Sequence, residues 1–237
     1  MRNLTTLRWI RPNRLTAAAG FTTVAVIAFS ATFLLAQYSA LPDLLPVRFA
    51  RSGFPNGWQF KTLPRVLMPV FVQAALALTL GAIGALLLSR SHGTHDEAAT
   101  DVQAASAAAE CVALMALIWV AFQAYAAIAL AGMWQRQRGG LGGWYSVVEI
   151  LGVALTIGVA VRGHLRLGRP ACRPFVAEHW RFGQLYRNPG DPALFVPTRT
   201  GGRWTLNFGR PVAVVLMALI LGVGIVAPTA VLVLLLR

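Results

Sequence analysis

Two carboxylates stand out because they lie within long apolar runs. Glu110 and Glu149 each occur within about two turns of a predicted helix end. A charged group at membrane depth is costly, and such groups often carry protons, ions or substrates. Two interpretations are open: each side chain reaches the interface, or it is a paired or protonated carboxylate inside a helix bundle. In the second case we expect the amides of Gln73 and Gln123 to be its partners.

The sequence contains few other groups that could do chemistry. His92 and His95 with Asp96 have no further ligand nearby, so the pattern favours a solvated loop over a metal site. The chain has no phosphate-binding glycine loop, no His-Glu-x-x-His motif and no Gly-x-Ser-x-Gly motif. We therefore expect a protein that is not an enzyme and that uses no metal and no cofactor.

The composition indicates which elements must position these groups. Hydrophobic residues make up 57% of the chain and charged residues 12%, whereas soluble domains carry about 25% charged residues. A membrane helix needs about 20 mainly apolar residues to cross the hydrocarbon layer. Five runs satisfy this requirement: 15–37, 66–88, 107–133, 141–161 and 211–236. The sequence predicts an all-α integral membrane protein, a bundle of about five transmembrane helices.

The spans divide the chain into six segments. In order these are a basic N-terminus (1–14), a two-helix unit (15–88) with an ordered Pro/Gly-rich outer loop (38–65), a polar loop (89–106), two further spans (107–161), a basic cytoplasmic module (162–210) and a C-terminal span (211–237).

Orientation follows from the basic residues in alternate loops. Of the 21 Lys and Arg residues, fourteen lie on the side of the N-terminus and seven on the other side. Because basic residues are retained in the cytoplasm, we expect a cytoplasmic N-terminus and an outside C-terminus. Only Lys61 is a lysine, and this arginine bias is typical of a GC-rich bacterial genome. The predicted location is the bacterial inner membrane, with the span 141–161 as the weakest element.

The first loop carries the most informative string. It contains Leu-Pro-Asp-Leu-Leu-Pro-Val-Arg-Phe at 41–49 and Gly-Phe-Pro-Asn-Gly-Trp at 53–58. This string resembles the bacterial membrane family known as domain of unknown function 1648, which includes the immunity protein of a sporulation-delaying toxin system. Arg48 stands where that family has His, and Asn56 where it has Asp. The resemblance implies a role in toxin immunity or signalling.

The same loop has two possible roles. Prolines fix backbone angles in this loop, and Gly53 and Gly57 permit left-handed turns. The loop is either a stiff cap between two helices or a recognition surface for an extracellular peptide or a membrane-protein partner. The candidate binding residues are Asp43, Arg48, Phe49, Asn56, Gly57, Trp58 and Lys61.

A second string, from His179 to Pro211, resembles the module known as domain of unknown function 5808. Aromatic residues at 175–186 have helical spacing, which predicts a helix lying at the lipid interface. Segments 194–196 and 204–208 are predicted to pair as a hairpin. Basic side chains are expected to contact anionic lipid head groups and not nucleic acid: Arg173, Arg181, Arg187, Arg199, Arg203 and Arg210.

The sequence therefore favours a non-enzymatic sensor or immunity-type membrane protein. The alternatives are a small transporter or channel component, which would need a polar path, and an accessory subunit of a membrane complex.

Overall fold

The computed structural model describes residues 8–50, 52–90, 98–137, 139–168, 170 and 174–222. Within these ranges, four helices are long and apolar enough to cross a membrane. The helices are α1 (Arg14–Gln37), α2 (Leu63–Val66), α3 (Met68–Leu88), α4 (Ala98–Arg136), α5 (Trp144–Leu167) and α6 (Pro211–Leu221).

The described residues also form four two-stranded antiparallel sheets, so the all-α expectation is corrected. All four are short pairings outside the long helices. The pairs are β1 (Arg8–Trp9) with β4 (Ser89–Arg90), β2 (Leu44–Phe49) with β3 (Pro55–Phe60), β5 (Trp180–Arg181) with β6 (Leu185–Tyr186), and β7 (Phe195–Pro197) with β8 (Trp204–Leu206).

The predicted spans correspond to helices, with two differences at their ends. The third prediction began at 107, but α4 begins at Ala98, within the predicted polar loop. Residues 98–109 include seven alanines, and alanine has the highest helix propensity, so the helix extends beyond the apolar run. The weakest predicted span, 141–161, is helical from Trp144 and continues to Leu167. Of the fifth span, residues 211–221 are helical, and 223–237 lie outside the described residues.

The predicted interfacial helix across 175–186 is wrong. The segment instead contains a 3-10 turn at Ala177–His179 and the β5–β6 hairpin. Phe182 and Gly183 at its turn have φ of 50° and 71°, and two successive positive φ values favour a tight hairpin over a helix. The second predicted hairpin is confirmed as β7–β8.

The chain forms two compact units. We call residues 17–80 and 113–160 the hairpin unit, because it contains β2–β3. We call the described parts of 1–16, 81–112 and 161–237 the terminal unit, because it contains the chain ends. The hairpin unit has a continuous apolar core, composed of Leu34, Leu41, Leu45, Val66, Ala127, Ala131, Met133 and Trp134.

Within each unit, one contact joins two loops that the charge pattern predicts to lie on the same side of the membrane. In the terminal unit, Arg8–Trp9 pairs with Ser89–Arg90, and the Ile10 amide donates to the Leu88 carbonyl at 2.9 Å. In the hairpin unit, the Gly139 amide donates to the Gly53 carbonyl at 2.8 Å. In both cases, the charge pattern placed the two contacting segments on the same side.

Candidate functional site

The base of the β2–β3 hairpin is closed by Lys61. Its amide donates to the Asp43 carbonyl at 2.7 Å, and its ammonium donates to the Leu41 carbonyl at 2.7 Å. The ammonium also lies 3.3 Å from the Asp43 carboxylate and 5.1 Å from the centre of the Tyr38 ring. Through these contacts Lys61 holds the base of the hairpin together. Its position therefore favours a structural role for this side chain over a role in ligand binding.

One face of the hairpin packs on the core. Leu45 is fully buried, and Phe49 packs against the core cluster. Phe49 is therefore mainly a packing residue, although the sequence placed it among the candidate binding residues.

The opposite face exposes large apolar side chains. Register pairs Leu44 with Phe60, and Trp58 lies two residues before Phe60 on the same strand. Because strand side chains alternate, these three residues share one face, which we call the hairpin face. Phe60 is 74% exposed and Trp58 50% exposed. The candidate binding residues from the sequence include Trp58 but not Leu44 or Phe60. The spacing of Trp58 and Phe60, two residues apart in one strand, is the signal that places them on a shared face.

The glycines of the hairpin have different roles. Gly53 has φ of 81°, which only glycine adopts without strain. Gly57 was also expected in a left-handed conformation, but it lies in β3 without positive φ. Its small size matters instead, because a Cβ there would lie 3.1 Å from the Cβ of Arg48. Arg48 and Asn56 are exposed.

An apolar groove of about 400 Å³ lies beside the hairpin. Val47 and Gln59 of the hairpin line one side, and Gln123 and Trp134 of α4 line the other. Arg65 also lines the groove, and its guanidinium donates to the Phe60 carbonyl. The predicted intramembrane residue Gln123 therefore borders the groove.

Gln73 lies in the interior of the hairpin unit. It is fully buried, and its Nε2 donates to Ser30 Oγ at 3.0 Å and to the Val120 carbonyl at 3.3 Å. Its Oε1 has no hydrogen-bond partner among the described residues. The amide joins three helices, but it is not a partner of Glu110.

Glu110 is the best-partnered carboxylate in the terminal unit. It is 3% exposed and accepts from Asn13 Nδ2 at 2.6 Å, from Arg162 Nη2 at 3.0 Å, and from Arg166 Nη1 at 2.6 and 2.7 Å. Asn13 also caps α1, because its Oδ1 accepts the Thr16 amide at 2.7 Å. We call Glu110 and these three partners the carboxylate latch.

The latch shows that Glu110 is paired, and its depth in a membrane stays a prediction. A carboxylate bonded to two guanidinium groups is paired, although its partners are not the expected Gln73 and Gln123. Glu149, by contrast, is exposed on α5. The signal for the latch was present in the i, i+4 spacing of Arg162 and Arg166, which places both on one helix face.

The C-terminal module, residues 174–210, is organised by Asn207. This side chain is fully buried; its Oδ1 accepts the amides of Asn188 at 3.0 Å and Gly209 at 2.9 Å. Its Nδ2 lies within hydrogen-bond distance of the carbonyls of Asn188, Asp191 and Ala193. The Asn207 side chain thus connects residues 188–193 with residues 207–209, directly before α6. Sequence inspection did not single out Asn207.

Three further hydrogen bonds, donated by two residues of the module, join it to helices of the same unit. The Phe195 amide donates to Asp101 Oδ1 of α4 at 2.8 Å. The Trp204 indole donates to the carbonyls of Leu167 and Gly168, at 3.2 and 3.1 Å, where α5 ends. These last carbonyls of a helix lack partners within the helix, so Trp204 caps α5.

The arginines of the module lie mainly at its surface. Arg181, Arg187, Arg199 and Arg203 are exposed, and Arg210 is partly buried. The guanidinium of Arg199 stacks 4.9 Å from the Phe175 ring centre. Arg173 lies outside the described residues.

A cleft of about 430 Å³ lies within the module. The rings of Phe175, Trp180 and Tyr186 line it together with Arg199 and Asp191. Asp191 Oδ2 accepts the Tyr186 hydroxyl at 3.0 Å, and its Oδ1 accepts the Ala193 amide at 2.9 Å. The carboxylate therefore stabilises the local turn.

Among the described residues, no group of three or more His, Cys, Asp or Glu could hold a metal. His92, His95 and Asp96, the weak metal pattern of the sequence, lie outside these residues.

Comparison with known proteins identifies one match. The model of a family of unknown function, DUF5808, matches residues 189–214, which include Asn207 and the β7–β8 hairpin. The C-terminal resemblance is supported by this match, whereas the resemblance of the first loop to domain of unknown function 1648 stays a prediction. No curated protein and no solved structure shows significant similarity to the chain.

Proposed function

We propose that this chain is a non-enzymatic membrane protein that recognises a membrane-inserted or extracellular peptide, or a protein partner, with its hairpin face. The observation that carries the proposal is the rigid exposure of Leu44, Trp58 and Phe60 on a hairpin fastened to an apolar core. Aromatic residues dominate the binding energy of many protein interfaces, and a hairpin held at its base loses little conformational entropy on binding. A sensor or immunity-type role would use this surface.

The same exposure also suits a stiff cap whose aromatic rings lie among lipid head groups. The two roles differ in what touches Phe60. A photo-crosslinking amino acid at position 60 should give a discrete protein or peptide adduct in native membranes. The matched control is Leu78 on α3, which is also 74% exposed and should give lipid adducts only. Lipid adducts alone at both positions would favour the cap and overturn recognition.

The proposal includes a topology in which the hairpin lies outside the cytoplasm. Membrane-impermeant labelling of single-cysteine variants in intact cells should modify position 52 and spare position 202, as expected from the excess of basic residues on the side of the N-terminus. Labelling of both positions would overturn this topology and remove the outer hairpin from the proposal.

The alternative role in transport has one observation in its favour, the unpartnered Oε1 of Gln73. The Ser30 hydroxyl, which accepts from Gln73, donates to the Val26 carbonyl of its own helix, so the surroundings of Gln73 offer little polar lining. The hairpin face is therefore the better-supported site.

A further inference from the structure

The β5–β6 hairpin has an unusual tip. Phe182 is 95% exposed, although aromatic side chains usually bury much of their surface. It occupies a positive φ of 50°, beside Gly183 with φ of 71°. The turn thus holds a large apolar ring away from its own module.

The two faces of this hairpin differ in chemistry. Trp180 and Tyr186 pair across the strands with ring centres 5.4 Å apart, and both line the cleft within the module. Their neighbours Arg181 and Leu185 pair on the opposite face and are exposed. The packing of Trp180 and Tyr186 therefore explains why this hairpin folds against its own module. The exposed outer face and tip are not needed for that packing.

Charge near the tip is cationic. Arg181 directly precedes Phe182, and Arg187 continues the strand ladder by donating its amide to the His179 carbonyl at 2.8 Å. Across 174–210, five arginines face two acids, and one of these, Asp191, is bonded within the module. Glu178 is the exposed acid. An apolar tip between arginines is complementary to an anionic lipid surface, because such a surface has phosphate groups above an apolar layer of acyl chains.

Chain connectivity keeps the tip near a membrane. The module begins seven residues after α5, which ends at Leu167, and α6 begins at Pro211, directly after it. Trp204 fastens the module to the end of α5. A surface tethered in this way meets lipid head groups at high effective concentration.

We propose that the β5–β6 tip inserts Phe182 into the head-group layer of an anionic membrane, with Arg181 and Arg187 binding lipid phosphates. This inference is independent of recognition by the hairpin face. It replaces docking through a flat interfacial helix, which the fold of residues 177–186 contradicts.

The test uses the full chain reconstituted into vesicles that contain a lipid with a nitroxide quencher at the head-group level. An environment-sensitive fluorescent amino acid replaces Phe182, and in a matched control it replaces Ala177, which is exposed on the 3-10 turn. With 30% phosphatidylglycerol, the probe at 182 should be quenched and blue-shifted, and the probe at 177 should change little. In pure phosphatidylcholine, or when salt of about 1 M shortens the Debye length to about 3 Å, quenching at 182 should be lost.

Arginine variants test the electrostatic part. Arg181→Gln and Arg187→Gln should each lower the ratio of inserted to free tips about fivefold, the factor that corresponds to about 1 kcal/mol for one arginine near an anionic surface. Circular dichroism checks that both variants fold.

Three results would overturn the proposal: no quenching at 182, equal quenching at 182 and 177, or quenching at 182 that ignores lipid charge and salt. Quenching that appears only when another protein is added would assign the tip to a protein partner.

Discussion

The two units are stabilised by different chemistry. The hairpin unit has a cluster of aliphatic and aromatic side chains, with Leu34, Leu45 and Val66 fully buried. The terminal unit also buries apolar side chains such as Val196 and Leu216, and it adds buried polar groups that join separate segments, namely Asn207, Glu110 and Asp101. Apolar packing tolerates changes of shape that conserve volume, whereas a polar network fails when one partner is removed. The terminal unit should therefore be the more sensitive to conservative changes.

The sharpest test of this comparison is Asn207→Leu, a change of similar size that removes every hydrogen bond of the side chain. We expect the free energy of unfolding to fall by about 3–5 kcal/mol, because each buried group left unpaired costs about 1–3 kcal/mol. Detergent denaturation, followed by proteolysis of the module, would measure the loss. Asn207→Asp keeps the Oδ1 acceptor but sets a buried carboxylate oxygen against three carbonyl oxygens, so it should lose at least as much. A stable Asn207→Leu variant would break the comparison.

The counterpart in the hairpin unit is Leu45, which is fully buried in the core. Leu45→Ala should cost about 2–4 kcal/mol, because it leaves a cavity. Leu45→Met conserves volume and should cost under about 1.5 kcal/mol. The same denaturation experiment would measure both variants. If the methionine variant were as unstable as the alanine variant, the core would not tolerate shape changes as we expect.

The carboxylate latch gives the third test. Glu110→Gln should cost about 1–2 kcal/mol, less than a fully buried ion pair, because the Arg162 and Arg166 side chains are 52% and 50% exposed. Glu149→Gln is the control, and we expect a change within about 0.5 kcal/mol at this exposed position. Thermal inactivation in detergent would rank the two variants. Equal effects of Glu110→Gln and Glu149→Gln would show that the latch does not stabilise the terminal unit.

The last test concerns Gly57, where the decisive quantity is the small cost that remains in a double variant. Gly57→Val should cost about 1–3 kcal/mol at first, because its Cβ meets the Arg48 side chain in a packed strand pair. In an Arg48→Gly background the cost should shrink to well under about 1 kcal/mol, since the Cβ, Cγ and Cδ atoms that the new side chain would meet are absent. Gln59→Val, at an exposed position on the same strand, provides the reference. If Gly57→Val cost the same stability in both backgrounds, contact with the Arg48 side chain would not be the cause of the loss.

Hydropathy predicted the spans well because a membrane helix satisfies its own backbone hydrogen bonds and needs only apolar length. It could not predict where α4 begins, since residues 98–106 are helical through alanine propensity rather than through apolarity. The hairpin 180–186 was missed because Phe175, His179, Phe182 and Tyr186 have helical spacing, whereas the backbone at 182–183 determines a turn.

The candidate sites were predicted less completely. Trp58 was identified from its motif and is exposed, but Lys61 and Phe49 serve the hairpin itself. The Asn13–Glu110 bond of the latch and the Asn207 network join residues 97 and 19 apart, and pairings over such distances leave no periodic signal in the chain. The i, i+4 spacing of Arg162 and Arg166 marks the two arginines of the latch but not the carboxylate that they bind.

The carboxylate latch also imposes an order on biosynthesis. Asn13 is translated before Glu110, but Arg162 follows 52 residues later. At about 5–20 residues per second, Glu110 is synthesised about 3–10 s before Arg162. During this interval, Glu110 has only the Asn13 amide of its three partners. A nascent chain shorter than 162 residues contains neither arginine of the latch, so this unit can complete its assembly only after α5 has been made.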